Sequence, residues 1–452
     1  MKPIQQAPDV SVGILTDSLI DFCLNGDFRI YGEEKIYSGK YRAEYRNGQI
    51  FFDNKPYAEI KFVPLCRNSC SFDLTDVTIG KNFHWEQKEK QRFTGILKLI
   101  KEKENITAVN ILEVEDYLVS VISSEMNGHS SPELLKAHAI ISRSWLLAQI
   151  SKPEEEKNKK KRVITNTGNE RIGWYDRDDH ELYDVCADDH CQRYQGITRA
   201  GDPNVKEAVW ETKGQILTFN GKICDTRFSK SCGGVSELFE NCWEDVHHPY
   251  LVKVVDNPDE KDDKALDLTV EENAEKWIRS YHDSFCNTHN KKILSQVLNT
   301  YDQETHDFYR WKVEYSQSCL AALVSKRTGI DFGEIIDLIP VERGVSGRLV
   351  KLKIKGTKQS LLIGKELEIR KILSENHLYS SAFFVEKKEE KENIPQKFIL
   401  HGAGWGHGVG LCQIGAAVMA EKGYNCKEIL SHYYKHAMIS PDYGGLCQKS
   451  LN

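Results

Sequence analysis

The chain has no apolar run approaching the ~18 to 20 residues that a bilayer-spanning helix requires, so no helical membrane anchor is read from it. It also lacks an excess of basic charge: 61 Lys and Arg stand against 67 Asp and Glu, for a formal net charge of −6. Such a chain is a poor partner for a nucleic-acid backbone, whereas a sugar polymer without phosphate suffers no such repulsion. Internal repeats are absent. The opening residues Met1-Lys2-Pro3-Ile4-Gln5-Gln6-Ala7-Pro8 show no basic n-region, apolar h-region or small-residue cleavage site. Read as it stands, the sequence begins either as a cytoplasmic protein or at a mature or engineered start. Cysteine is not dense. The 13 thiols are dispersed over 452 residues, unlike the staples of small secreted folds, and an odd number leaves at least one outside any intramolecular bridge.

What is present is an ordinary globular balance, 40% hydrophobic and 28% charged with a mean hydropathy of −0.51. The length suffices for roughly two or three folding units. From Val10 to about Thr107, short runs such as Val10–Leu15, Phe28–Tyr31, Tyr41–Tyr45, Gln49–Phe52 and Gly95–Ile100 read as strands. Asn25-Gly26, Asn47-Gly48 and Asp53-Asn54 fall between some of them, as hairpin residues that tolerate positive φ. The pattern then turns helical. Ser131 is an N-cap with Pro132 in the first turn, and apolar residues at helical spacing carry a helix to about Ile150. Thr269 and Glu272 read as a capping box opening a later helix, and a last helix is expected from Ala416 to about Lys422. The mixed-sign runs Glu154–Arg162 and Glu386–Glu392 read as solvated segments.

Four segments could carry chemistry. In Val121-Ile122-Ser123-Ser124-Glu125-Met126, one carboxylate lies between apolar residues, where partial desolvation would favour its protonated form. A partly exposed loop glutamate is the plainer alternative. The glycine density of Gly402-Ala403-Gly404-Trp405-Gly406-His407-Gly408-Val409-Gly410 permits positive φ and close approach of another chain to the backbone, and no Lys-Ser/Thr follows the segment to make a phosphate loop. Trp405 could stack on a sugar and His407 could donate a hydrogen bond; a structural turn packed on the core is an even alternative. His180, Cys186, His190 and Cys191 offer the nitrogen and sulfur donors of tetrahedral zinc, with Asp184, Asp188 and Asp189 nearby. A Cys186–Cys191 disulfide or two unrelated thiols would fit the spacing as well. Phe228-Ser229-Lys230-Ser231-Cys232-Gly233-Gly234 contains a cysteine to which no His or Asn base can be assigned, so a tight turn meeting a ligand through hydroxyls and amides is the safer reading.

Taken in order, these pieces resemble the stage II sporulation protein D/LytB family. The matching segments are Val114-Glu115-Asp116-Tyr117-Leu118, Ser124-Glu125-Met126, Leu135-Lys136-Ala137 with Ser142-Arg143, Thr212-Lys213-Gly214 and Ser231-Cys232-Gly233-Gly234. Trp243, Pro249-Tyr250-Leu251, Tyr309-Arg310-Trp311, Ser346-Gly347-Arg348, Gly404–Gly410, Gln413, Gly415-Ala416 and His432-Tyr433-Tyr434 follow, so that the resemblance spans about Val10 to Lys435. His138, Lys230 and Cys412 depart from it, where relatives commonly carry Gln, His and Ser, and those positions neighbour the expected groove.

The resemblance implies an α+β fold. Its parts would be a β-rich N-terminal region (1–107), a mixed catalytic core with a capped helix after the catalytic loop (108–254), an inserted helical and mixed region (255–395), and a C-terminal Gly-rich motif and helix completing the core (396–452). It implies a lytic transglycosylase or an amidase enhancer acting at peptidoglycan. Glu125 would be the catalytic acid, and His180, Cys186, His190 and Cys191 ligands of a structural zinc. Arg143, Ser231, Gly233, Trp405, His407 and Gln413 are candidates for holding the glycan, with core packing the alternative for each. The implied partners are peptidoglycan glycan strands and a cell-wall amidase, with no nucleic acid. The substrate argues for an extracytoplasmic location despite the missing leader.

Overall fold

The computed structural model describes residues 7–80, 87–152, 164–174, 180–188, 190–198, 200–257, 267–297 and 307–443. The chain is α+β and divides into two compact units: unit 1 comprises residues 1–151, 179–216 and 439–452, and unit 2 comprises 152–178 and 217–438.

Unit 1 is built on a large sheet. Its order runs Val185–Cys186, Asp9–Asp17, Asn105–Glu113, Ile96–Glu102, Ile60–Pro64, Leu19–Ile30, Ile36–Arg46, Gln49–Phe52 and Lys55–Tyr57, with Ser71–Ile79 and Gln87–Phe93 attached through Leu19–Ile30. Alternating burial along Leu19–Ile30 and Ile60–Pro64 sends Phe22, Tyr37, Phe52 and Phe62 to one side, where their rings meet at centroid separations of 5.2 to 6.0 Å, the geometry in which aromatic pairs attract. Asn47-Gly48 and Asp53-Asn54 make the tight hairpins their positive φ values allow. Asn25-Gly26 does not: it is a bulge inside the single strand Leu19–Ile30, whose register shifts between Leu24 and Phe28, because that strand bends there to pair with two different neighbours.

Among the described residues, three α-helices pack in unit 1: α1 (Val114–Glu125), α2 (Pro132–Ile150) and α3 (Pro203–Glu211). Ser131 takes the N-cap position of α2 with Pro132 in its first turn. Most of α2 is buried, Leu134, Ile140, Ile141, Trp145 and Leu146 included, as expected of a helix that is apolar on nearly every side. Residues 153–163, which hold the Glu154–Arg162 run, and Asp189 lie outside the described residues.

Unit 2 contains a five-stranded sheet in the order Ile164–Thr167, Glu170–Gly173, Ser360–Gly364, Leu349–Gly356, Ile335–Arg343, and a three-stranded sheet in the order Arg310–Ser316, Ile394–Ala403, Phe383–Lys391. Trp311, Leu338, Leu352, Ile354, Ile363, Phe383 and Phe398 belong to one continuous apolar core. The Glu386–Glu392 run is solvated as its charges require, and most of it extends the strand Phe383–Lys391. The α-helices among its described residues are α4 (Glu271–Arg279), α5 (Lys291–Val297), α6 (Gln317–Thr328), α7 (Glu366–Ile372), α8 (Gln413–Glu421) and α9 (Cys426–Tyr433). The Thr269–Glu272 capping box does not form. Val270 occupies the N-cap of α4, and the Thr269 hydroxyl donates instead to Asp267 at 2.6 Å, an acceptor closer in sequence and already turned toward it.

Candidate functional site

Glu125 is not on a loop. It is the final residue of α1, half-buried, followed by the buried Met126 at the C-cap, whose amide returns to the Ile122 carbonyl. A turn then closes from Asn127 to Ser130 through two hydrogen bonds to the Asn127 carbonyl, and Asn204 at the start of α3 holds the Gly128 carbonyl at 3.0 Å.

Two devices fix α1 beneath that residue. At its first turn, Glu115 forms a bidentate pair with Arg143 of α2, at 3.0 and 2.6 Å, with both side chains wholly buried. Glu115 also accepts from the Tyr443 hydroxyl at 2.6 Å, and Arg143 donates to the carbonyls of Val209 and Gln215. Arg143, expected among the glycan contacts, is thus an internal clamp: its guanidinium is spent on Glu115 and backbone carbonyls and none of it reaches solvent. Further along α1, Tyr117 stacks on Tyr194 with ring centroids 5.1 Å apart and donates to Gln192 at 3.3 Å, while the Gln195 amide donates to the Ser120 hydroxyl at 3.2 Å.

Tyr194 and Gln192 belong to the loop that carries the histidine/cysteine group. That loop is anchored on the sheet by the two-residue strand Val185–Cys186, parallel to Asp9–Asp17, and by Ser11, whose amide and hydroxyl both donate to Asp184. The Tyr183 ring lies over Gly13 so closely that a β-carbon there would sit 2.5 Å from it. The ligand atoms of His180, Cys186, His190 and Cys191 all lie within 4.8 Å of one another. Cys191 Sγ is 3.5 Å from His180 Nε2 and 3.5 Å from His190 Nδ1, and Cys186 Sγ is 3.9 Å from His190 Nδ1. A tetrahedral zinc with bonds of ~2.3 Å to sulfur and ~2.0 Å to nitrogen sets such edges at ~3.5 Å, so the donor set fits zinc. The Cys186 amide points at Cys191 Sγ, and the Cys186 thiol is pulled down to about 2, first by its hydrogen bond with Cys191 and, against burial, by the two imidazoles. Burial raises the Tyr117 hydroxyl well above its ordinary value, followed by the charges of Cys191, Cys186, Tyr194 and Glu125; the carboxyl and the thiols therefore act on one buried phenol.

The remaining expected contacts fall in unit 2. Ser231 and Gln413 are buried. Ser231 exchanges two backbone hydrogen bonds with Trp405, and Gly233 packs its backbone against Gly404, where a β-carbon would meet the amide nitrogen at 2.7 Å. Trp405 is half-exposed and stacks on Tyr379 with centroids 4.2 Å apart. His407 accepts from the Val409 amide at Nδ1 and meets Trp243 edge-on; burial, then Arg227 and Arg348, hold it neutral. The Gly404–Gly410 segment wraps the buried Arg348, which donates to the Gly406 and Cys232 carbonyls. Any β-carbon at Gly408 would fall 2.4 Å from its guanidinium carbon. The glycines thus serve a structural cradle. Of the departures from the resemblance, His138 and Cys412 are buried rather than groove-lining.

A second grouping has no local sequence signature. Cys232, Asp256, Cys286 and Cys412, all buried, bring their ligand atoms within 4.8 Å of one another and could hold a metal ion.

The family model described as Stage II sporulation protein matches residues 102–219. That stretch of the chain carries the SpoIID family match. A second family model, described only as a domain of unknown function, matches residues 237–410. Among curated proteins, the chain is 24% identical over 333 residues to Stage II sporulation protein D of Bacillus amyloliquefaciens, covering 74% of this chain and 76% of that one. It is 26% identical over 336 residues to the amidase enhancer of Bacillus subtilis, covering 70% of this chain and 39% of that protein. An uncharacterised protein of Brachyspira hyodysenteriae is 23% identical over 430 residues, with 93% of this chain and 90% of that one covered. The SpoIID match takes in α1, α2, the histidine/cysteine loop and α3, and the family is related to the cell wall.

Proposed function

We propose that the chain is a peptidoglycan lytic transglycosylase with Glu125 as its single acid/base residue. The observation that carries this reading is the position of Glu125: half-buried at the end of a helix clamped by Glu115–Arg143 and braced by the histidine/cysteine loop. A general acid must be held where it can reach the leaving oxygen, and a carboxyl on the last turn of a clamped helix is so held. The carboxyl would protonate the glycosidic oxygen between N-acetylmuramic acid and N-acetylglucosamine. The carboxylate left behind would take the proton of the muramyl C6 hydroxyl as that oxygen attacks C1, closing a 1,6-anhydro ring. Intramolecular attack needs no positioned water.

A two-carboxylate hydrolase requires a partner ~5 to 9.5 Å away. The other acids of α1 are badly placed for that: at ~1.5 Å of rise per residue, Glu115 and Asp116 lie ~13 to 15 Å down the helix. Glu115 is neutralised by Arg143, and Glu113, just before the helix, pairs with Arg67 at 2.9 Å.

In this reading His180, Cys186, His190 and Cys191 hold a structural zinc, since four protein ligands leave no position for a reacting water. The partners are glycan strands, and the location is outside the cytoplasmic membrane. The experiment compares wild type with Glu125→Gln on purified glycan strands: loss of the general acid should cost ~10²- to 10⁴-fold in rate at an unchanged melting temperature. The relative named amidase enhancer favours a second reading, a non-catalytic glycan-binding activator of a separate amidase. Stimulation of an amidase without release of any sugar fragment would establish it.

A further inference from the structure

We infer that unit 2 contains a second metal site, formed by Cys232, Asp256, Cys286 and Cys412, that takes a thiophilic divalent cation such as zinc. The four donors come from separate segments: the turn after Phe228–Ser229, the residue following Val255, the connection between α4 and α5, and the N-cap of α8. Chain folding alone therefore brings them together, with the donor atoms within 4.8 Å of each other and all four residues buried. Cys232 Sγ and Cys286 Sγ are 3.6 Å apart. Two thiolates on one tetrahedral zinc, with bonds of ~2.3 Å, lie ~3.8 Å apart.

The surroundings are those of a ligand set already oriented. Asp256 accepts from the Tyr433 hydroxyl at 2.7 Å on one oxygen and from the Cys286 amide at 2.9 Å on the other, contacts of the kind that aim a metal-bound carboxylate. Cys412 Sγ accepts from the amides of Cys232 and Gly415 at 3.3 and 3.4 Å, at the first turn of α8, an environment that favours a thiolate. Charge is the deciding consideration. Asp256 lies in the interior, with the Nε2 nitrogen of His432 3.7 Å from one carboxylate oxygen. A carboxylate and several thiols buried together are compensated by a divalent cation, whose binding sends the thiol protons to solvent. A Cys232–Cys286 disulfide would account for two of the four residues and leave the orientation of Asp256 and Cys412 without a purpose. The site shares no residue with the histidine/cysteine loop, and it does not depend on the reaction proposed for Glu125.

The test uses the full chain, purified under reductant, stripped of metal and reloaded with zinc or cobalt(II). Metal is counted per chain, and the cobalt form is examined for thiolate-to-cobalt charge-transfer absorption. A Cys186→Ser/Cys191→Ser double variant should retain about one equivalent and the thiolate band. Cys412→Ser should lower the wild-type content by about one equivalent. A double variant that binds no metal would overturn the proposal, as would a folded Cys412→Ser variant with wild-type content. Peptide mapping that finds a Cys232–Cys286 disulfide in protein purified without reductant would overturn it too. Should Cys412→Ser fail to fold, the stoichiometry of the double variant decides.

Discussion

Arg143 and Glu115 show how a residue expected to face a ligand can serve the interior instead. Without Arg143 the buried Glu115 carboxylate would lose its counter-charge, and breaking a buried pair from one side typically destabilises by ~3 to 5 kcal/mol. Arg143→Ala should therefore lower stability by about that amount in chemical denaturation, and Arg143→Met with Glu115→Leu should recover part of it. A loss of glycan affinity in Arg143→Ala at unchanged stability would return Arg143 to the ligand. His377 carries a second residue-scale consequence. Burial, followed by Arg370, Lys371 and Arg327, lowers its imidazole to about 4, against ~6.5 in an unfolded chain. Between those values the unfolded state binds the extra proton. Stability is hence fully present above pH ~6.5 and falls as pH drops toward 4, by at most ~3 kcal/mol from this group. His377→Gln should flatten part of that slope in melting temperature measured from pH 7 to 5; an unchanged slope would assign the acid sensitivity to other groups. The histidine/cysteine grouping was legible because its members lie close in the chain, and the structure brings their ligand atoms together; Glu125 was singled out by the resemblance, its local sequence being a weak signal. The burial of Arg143, Ser231 and Gln413 was not legible there, since a polar residue in a motif looks the same whether it meets a ligand or a buried carbonyl.

At the scale of elements, helix α2 and the hairpins at Asn47-Gly48 and Asp53-Asn54 were readable because local chemistry decides them. Asn25-Gly26 and Thr269 misled for the opposite reason: a strand with two sets of neighbours, and an Asp267 acceptor, overrode the local signal. The proposed function rests on α1 together with the loop around Tyr194. Tyr117, Gln192 and Gln195 tie the two, so metal held by that loop should stiffen the helix that ends at Glu125. Chelation should raise hydrogen exchange in residues 183–195 and in α1. Unaltered exchange in both, with metal shown to have left, would mean that the loop holds its form without an ion.

For the whole molecule, the α+β class agrees with what the resemblance implies, and the β-rich opening section follows from strand periodicity and turn chemistry. The Cys232–Cys412 grouping does not, because its members are up to 180 positions apart and only the tertiary fold joins them. The same holds for the division into two units, one of which takes in residues 152–178 before the chain returns to the other. What unites these scales is the claim that one carboxyl, on a helix held rigid from two directions, suffices for the chemistry. Mass spectrometry of the ends produced from purified glycan strands tests that claim most directly. Wild type should give 1,6-anhydromuramyl ends, and Glu125→Gln should form them ~10²- to 10⁴-fold more slowly; ordinary reducing ends, or anhydro ends formed by the variant at the wild-type rate, would contradict the claim.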